Sequence, residues 1–173
     1  YREKFKPEWS QQGAMTILLV QSCSKSKNTP DSAIPALELY SGYFFKIIKK
    51  AIRERAFRSD IHLVILSAKH GLIDATTEIG WYDQQMDIQR AEELRSEVTA
   101  TLQEWTTDEY DKVVVNVGEI YKQSIKRGLA ELDIDVHYIQ GDGIGVKGSR
   151  LKKFIRDDVD ASSLEMGNMT GSL

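Results

Sequence analysis

The sequence MTILLVQSCSKSK, residues 15–27, is the clearest indication of the fold, because an apolar run in it passes directly into a polar cluster. Its first half is β-branched and aliphatic, which favours a buried strand. The same pattern recurs where IHLVIL precedes SAKHG, KVVV precedes NVGE, and VHYI precedes QGDGIG. We therefore predict four strands, at Met15 to Val20, Ile61 to Leu66, Lys112 to Val117 and Asp135 to Ile139.

Helical periodicity separates these strands. Leu37, Tyr40, Phe44 and Ile48 belong to a three- and four-residue repeat that predicts one amphipathic helix from Ala36 to Ile52. Further helices are predicted over Gln84 to Trp105, from near Glu119 and from near Ser149. Strands that alternate with helices pair in parallel through right-handed crossovers. The sequence thus predicts an α/β protein, a three-layer α/β/α sandwich with a mainly parallel four-stranded sheet.

Size and composition indicate one folded domain. The chain has 173 residues, of which 41% are hydrophobic and 28% charged, so it can bury a substantial core. We assign the α/β domain to residues 15–159, an N-terminal extension to residues 1–14 and a flexible C-terminal tail to residues 160–173. The net charge of −3 excludes a protein that coats polyanions with its whole surface, but it permits a local basic surface.

The single cysteine, Cys23, excludes an internal disulfide framework and any zinc site of the CxxC type. We therefore expect a reduced, cytoplasmic protein that needs neither a metal nor another cofactor. No apolar run approaches the ~20 residues that span a bilayer, and the first residues are too polar for a signal-peptide core. A membrane partner is not expected.

The polar clusters are predicted to form one cleft. In an open parallel sheet, the carboxyl ends of the strands lie along one edge, where ligands bind. The residues expected around this cleft are those that follow the strand ends: Cys23, Ser24, Lys27, Ser67, Lys69, His70, Asn116, Gly118, Gly141 and Gly143.

Five motifs together resemble those of a microbial family of uncharacterised domains. They are CSxSK at Cys23, LYSGYF at Leu39, SAKHGL at Ser67, the pair Tyr82-Asp83, and GxGIG at Gly141. The resemblance covers roughly residues 15 to 156. That family is similar to the uracil-DNA glycosylase superfamily, to domains of 7-deazaguanine base-modification enzymes and to DNA-binding peroxide-stress proteins. It implies a uracil-DNA-glycosylase-like sheet with strand order 2-1-3-4, and a function on nucleobases within nucleic acid.

Residue roles cannot be transferred from uracil-DNA glycosylases, because the chain has neither their GQDPY-like nor their HPSP-like segment. By chemistry, we assign leaving-group stabilisation to Lys69 and His70. Asp83 or Asn116 is expected to orient the water. Tyr82 or Tyr40 is expected to stack on a base.

The remaining candidates are expected to bind rather than react. A thiol needs a neighbouring base or cation to act as a nucleophile, so we favour substrate binding for Cys23. The substrate-binding set comprises Cys23, Ser24, Lys27, Tyr40, Ser67, Tyr82, Gly118, Gly141 and Gly143. The basic side chains expected to contact a phosphate backbone are Lys25, Lys147, Arg150, Lys152 and Lys153.

These features predict a nucleic-acid base-processing enzyme, most specifically a DNA glycosylase that excises a modified base, with a role in defence against phage. Its expected partner is DNA. Two alternatives stay open: a non-catalytic DNA-binding domain, and an enzyme that acts on a free nucleoside or nucleotide. Release of a base separates an enzyme from a binder, and salt-sensitive DNA binding separates both from the free-nucleotide enzyme.

Overall fold

The computed structural model describes residues 16–106 and 110–165 of the chain. Its strands are β1 (Ile17–Ser22), β2 (Ile34–Pro35), β3 (Ile61–Ser67), β4 (Gly71–Asp74), β5 (Glu78–Ile79), β6 (Lys112–Asn116) and β7 (Asp135–Tyr138). Its α-helices are α1 (Ala36–Leu39), α2 (Tyr43–Arg53), α3 (Ile88–Trp105), α4 (Glu119–Ala130) and α5 (Ile144–Ile155). A 3₁₀ helix follows at Ala161–Glu165.

The central sheet has the order β4-β3-β1-β6-β7. β1 pairs in parallel with β3 and with β6, and β6 pairs in parallel with β7. These are the four predicted strands in the predicted order, so the parallel part of the fold is confirmed. The fifth strand, β4, differs from prediction: a tight turn after Ser67 returns the chain antiparallel to β3. A four-residue strand is too short to produce a recognisable period.

Both faces of the sheet are buried. Ile17 and Leu19 point into a core shared with α1, α2 and α5. Leu18 and Val20 point into a second core, which α3 and α4 cover. Because successive residues of a strand face opposite sides, a wholly apolar strand requires a layer on each side. The protein is an α/β/α sandwich.

The first predicted helix is interrupted. α1 ends at Leu39, Tyr40 forms an antiparallel bridge with Lys27, and α2 begins only at Tyr43. Gly42 allows this close approach, because a Cβ there would lie 2.5 Å from the Cβ of Ser24. The apolar period continues across the break, which is why the sequence predicts one helix.

Two other helices begin elsewhere than predicted. α3 begins at Ile88 rather than near Gln84, because the Asp87 side chain accepts a hydrogen bond from the Arg90 amide at 2.7 Å and caps the helix. α5 begins at Ile144 rather than near Ser149. Its glycine-rich first turn has low helix propensity, which hides its start in the sequence.

The folded unit extends to Glu165, beyond the predicted boundary at residue 159. Ala161 and Leu164 are buried in the core beside α5, and a Glu165 carboxylate oxygen accepts a hydrogen bond from the Tyr138 amide at 3.0 Å. The first part of the predicted tail is therefore packed. The predicted N-terminal extension and the rest of the tail lie outside the described residues.

A buried polar cluster lies beneath α3. The His62 ring on β3 contacts the Tyr110 hydroxyl through Nδ1 and the Asp74 carboxylate through Nε2. Asp74 also accepts hydrogen bonds from the amide and the hydroxyl of Thr76, at 2.9 and 2.7 Å. The cluster links β3, β4 and the segment that leads into β6.

Within the described part of the chain, no helix has both the length and the apolar character needed to cross a membrane.

Candidate functional site

The carboxyl ends of β1 and β3 bring Cys23 and Ser67 together. The Cys23 amide donates a hydrogen bond to the Leu66 carbonyl at 2.9 Å, which continues the parallel ladder past the end of β1. Lys69 and His70 follow directly in the turn between β3 and β4. The first two predicted clusters therefore share one edge of the sheet.

The turn that presents Lys69 and His70 is fixed from both sides. The Ser67 hydroxyl oxygen accepts hydrogen bonds from the amides of Lys69 and His70, at 3.2 and 3.0 Å. Arg90, in the first turn of α3, donates to the carbonyls of Ala68 and Lys69, at 2.7 and 2.8 Å. The backbone is thus held at both its N–H and its C=O groups, which preorganises the two side chains.

Gly71 closes this turn with a φ of +73°. We expect Gly71→Ala to lower the free energy of unfolding by about 1–2 kcal/mol, because a side chain disfavours that conformation. An added Cβ would also lie 2.7 Å from the flexible end of Glu97. Urea denaturation measures the change.

Gly145→Ala is the matched control for this prediction, because a Cβ at Gly145 meets no atom within 4 Å among the described residues. In the first turn of α5 it is expected to be neutral, or stabilising by up to about 1 kcal/mol. Equal stability of the two variants would contradict the argument from backbone conformation.

Three hydroxyl groups form a buried network under the turn. The distance is 2.9 Å from Ser67 Oγ to Tyr82 Oη and 2.6 Å from Tyr82 Oη to Tyr40 Oη. Two backbone amides already occupy the lone pairs of Ser67, so its proton is donated to Tyr82. Burial, and then the charge of Cys23, raise the pKa of Tyr40 to about 12. Tyr40 is therefore a neutral hydrogen-bonding group at physiological pH.

Two lysines and a histidine lie around the Tyr82 ring. Lys27 Nζ lies 4.6 Å and Lys69 Nζ 5.8 Å from its centroid, and the His70 ring meets it edge to face at 5.5 Å. Burial and the nearby Lys69 charge lower the pKa of His70 from 6.5. The His70 imidazole is therefore mainly neutral at pH 7 and is able to accept a proton.

Cys23 is half-buried beside a further tyrosine, which the sequence did not single out. Its Sγ lies 3.1 Å from the hydroxyl of Tyr121, in the first turn of α4. Burial raises the pKa of Tyr121 and of Tyr82, and the charge of Cys23 raises both further. The phenols around Cys23 therefore keep their protons.

The loop after β1 packs against the start of α2. The Ser24 hydroxyl donates to the Ser26 carbonyl at 2.7 Å and accepts from the Gly42 amide at 3.1 Å. The Lys27 side chain turns back toward Tyr82, whereas Lys25 is exposed. Ser24 thus has a structural role that its hydroxyl chemistry alone does not predict.

Some predicted site residues lie apart from this cluster. Asn116 is only 2% exposed, and its amide donates to the Gln21 side chain at 2.8 Å, so it is not placed to orient water in an open cleft. Asp83 is exposed and, within the described residues, has no hydrogen-bond or ion-pair partner. These positions favour His70 over both for contact with water.

The predicted stacking role of Tyr40 and Tyr82 conflicts with their burial. Tyr40 is fully buried and Tyr82 is 5% exposed, so neither offers a free ring face. Trp81, adjacent in sequence, is 52% exposed and does present ring surface to solvent. Burial of a single aromatic in a loop depends on distant residues, which a local pattern does not reveal.

The other predicted residues belong to a second cleft, at the ends of β6 and β7. Gly141, Lys147 and Arg150 line it, and Gly118 and Gly143 precede the helices that border it. Lys152 and Lys153 are exposed on later turns of α5 and do not line it. The single predicted cleft is therefore two neighbouring sites on one edge, with α4 between them.

Two functional candidates were missed: Arg90 and Tyr121. Each lies in the first turn of a helix on the same edge, and that position is the signal that would have found them. Among the described residues, no His, Cys, Asp and Glu side chains cluster as metal ligands would.

Comparisons with known proteins give no function. No curated protein matches the chain. A solved structure that is similar is AF0587, a protein of unknown function, with 14% sequence identity and a TM-score of 0.46. The match covers 80% of this chain and 44% of that one, so the chain spans less than half the length of its structural relative. The family model of a family of unknown function, DUF6884, matches residues 17–153, and the chain belongs to this family.

Proposed function

We propose that this protein is a nucleic-acid base-processing enzyme, most specifically a DNA glycosylase that excises a modified base. The observation that carries the proposal is the composition of the sheet edge. The exposed large hydrophobic side chains of the described residues all lie there: Tyr43, Trp81, Ile88, Ile120, Ile144 and Val146.

This apolar rim shares the edge with the cations Lys25, Lys27 and Lys69. Exposed apolar groups mark interaction surfaces. Unstacked bases present apolar faces, and the attached backbone presents phosphates, so a rim of mixed apolar and cationic groups suits nucleic acid. A nucleic acid therefore matches both the apolar side chains and the lysines of this surface.

The cluster beneath the rim supports catalysis rather than binding alone. A surface that only holds phosphate needs cations, but it does not need a neutral imidazole beside a lysine on a turn fixed by Ser67 and Arg90. Preorganised groups of this kind stabilise the charge that develops in a transition state.

In the proposed reaction, the bond between the sugar C1′ and the base nitrogen breaks, and its electron pair leaves with the base. The Lys69 ammonium donates a hydrogen bond to the departing base. A water oxygen adds to C1′, and neutral His70 accepts the proton that this water loses. The departing base takes up one proton from solvent, and the protonated His70 returns its proton to solvent, so the products are a neutral free base and an abasic site.

The test is incubation of the protein with unmodified DNA and with DNAs that carry natural hypermodified bases, single- and double-stranded, followed by mass spectrometry of released bases. We expect release from at least one modified DNA. Tight, salt-sensitive DNA binding without any release favours the DNA-binding alternative. Release only from free nucleosides or nucleotides favours the third alternative.

The electrostatic coupling between Lys69 and His70 is directly measurable. Because the Lys69 charge lowers the pKa of His70, we expect Lys69→Met to raise that pKa toward 6.5. An NMR titration of the His70 ring reports the change. Lys25→Met, at an exposed lysine of the neighbouring loop, should leave the His70 titration nearly unchanged. An unaltered His70 pKa in Lys69→Met would show that the two side chains are not coupled.

A further inference from the structure

We infer that the cleft between α4 and α5 binds one phosphate-bearing nucleotide unit, as a subsite distinct from the Lys69 and His70 cluster. The assignment of this subsite to a nucleic-acid site rests on the proposed function. The argument that the cleft binds a nucleotide rests on its lining residues alone. Its volume is about 550 Å³, within the range of small-molecule sites.

The wall of the cleft suits a base and a sugar. Val117, Ile139 and Val146 provide apolar surface, and Tyr138 adds an aromatic ring. Burial raises the pKa of Tyr138, so the phenol stays neutral and does not repel an anion. The Lys122 ammonium lies 5.1 Å from the centre of this ring.

The rim of the cleft carries the groups that recognise phosphate. Lys147 and Arg150 lie one turn apart on α5, and Lys122 faces them from α4. Arg150 donates to the Gln140 carbonyl, which anchors its guanidinium at the rim. Within the described residues the Lys147 side chain has no hydrogen-bond or ion-pair partner, and the residue is half-buried. It is therefore the cation most available to a phosphate.

Acceptors complete the cleft. Glu119 and Asp142 line it, and the Glu119 carboxylate accepts from Lys122 at 3.3 Å. Inorganic phosphate would use only the cations, whereas a nucleotide also presents hydroxyl and amino donors to these carboxylates. The combination of cations, acceptors and apolar wall favours a nucleotide unit over a bare anion.

The cleft adjoins the first cluster through α4. Tyr121 contacts Cys23 in the first cluster, and the next residue, Lys122, lines the cleft. Gly141 allows the loop after β7 to pack against α5, because a Cβ there would lie 2.6 Å from Val146 Cγ1. A nucleotide held in the cleft would thus lie beside the nucleotide presented to Lys69 and His70.

The test is calorimetric titration of the purified chain with a deoxynucleoside 5′-monophosphate, the matching nucleoside, inorganic phosphate and a short single-stranded oligonucleotide. We expect the monophosphate to bind about tenfold or more tightly than the nucleoside, since charge-assisted hydrogen bonds supply the difference. Inorganic phosphate should bind more weakly than the monophosphate. Tighter binding of the oligonucleotide than of the monophosphate identifies nucleic acid as the source of the phosphate, and the reverse order identifies a free nucleotide.

Lys147→Met and Arg150→Met are each expected to weaken monophosphate binding about tenfold. Lys126→Met, at an exposed lysine of α4 outside the cleft, is the matched control and should change it less than about twofold. Thermal melting verifies that each variant is folded. Equal affinities of all three variants, or no binding of any probe by the wild type, would overturn the inference.

These outcomes are separable from those of the proposed function. Base release that is unaffected by Lys147→Met and Arg150→Met, together with no nucleotide binding in the cleft, would refute the subsite alone. Nucleotide binding that depends on Lys147, without release of any base, would refute the glycosylase and leave the subsite in place.

Discussion

Lys69→Ala and His70→Ala are each expected to reduce base release about 10²–10⁴-fold, while DNA affinity changes little. In the proposed reaction, Lys69 meets the charge that develops on the departing base, and His70 takes the proton of the attacking water. Both contributions arise mainly in the transition state, so their loss lowers turnover rather than binding. Single-turnover measurement of released base, with DNA binding measured in parallel, determines the two effects.

The Lys152→Ala/Lys153→Ala double variant is the control for these substitutions, because both lysines are exposed on α5 away from the cluster. It should chiefly weaken DNA binding and reduce its dependence on salt. Circular dichroism verifies the fold of each variant. Turnover by Lys69→Ala and His70→Ala equal to that of the wild type would mean that other residues perform the catalysis.

Asp74→Ala is expected to lower the free energy of unfolding by about 3 kcal/mol. The substitution removes the partner of Nε2 of His62, whose side chain is 1% exposed, and both hydrogen bonds from Thr76. Nδ1 keeps its contact with Tyr110, but the buried Nε2 would then have neither water nor a hydrogen-bond partner. Urea denaturation at neutral pH measures the loss.

The contribution of Asp74 also depends on pH. Burial by itself would raise the pKa of this carboxyl, but the hydrogen bond and charge of His62 and the two bonds from Thr76 outweigh it, so the pKa is lowered. A group with a lowered folded-state pKa stabilises the fold above its unfolded pKa, here about 4, and this stabilisation disappears as the pH falls through the folded value. The difference between wild type and variant should therefore shrink in acid.

Asp158→Ala is the control for both measurements, since Asp158 is an exposed aspartate after α5. Its effect should stay within about 0.5 kcal/mol at every pH. A difference between wild type and Asp74→Ala that stays constant from neutral pH to pH 3 would contradict the ionised role of Asp74.

The parallel core of the sheet could be predicted from the sequence. Apolar runs such as Ile61 to Leu66 are compatible with a strand buried on both faces, and the helical segments between them force parallel crossovers. Because parallel strands end at one edge, the placement of Cys23, Ser67 and Lys69 on that edge followed from chain order alone. The strand order itself came from the family resemblance.

Which side chains meet could not be predicted, because it depends on how the elements pack. The Tyr40 and Tyr82 hydroxyls are 42 positions apart in the chain, and Cys23 and Tyr121 are 98 apart. Contacts between such distant residues depend on how separate elements pack, and the periodicity within one element does not predict that packing. The same limitation explains why Tyr82, in a loop, and Asn116, at a strand end, were expected to be exposed in a cleft but are buried.

The break in the first helix and the division of the sheet edge into two sites also depend on packing. The apolar period from Ala36 to Ile52 is unbroken, yet the bridge between Tyr40 and Lys27 interrupts the helix. Tyr121 lies against Cys23, and the next residue, Lys122, lines the second cleft. The first turn of α4 therefore lies between the two sites. Local periodicity in the sequence predicts the strands and therefore the edge at which they end. The division of that edge into two sites depends on how α4 packs against the strand ends, and these elements come together only in the folded chain.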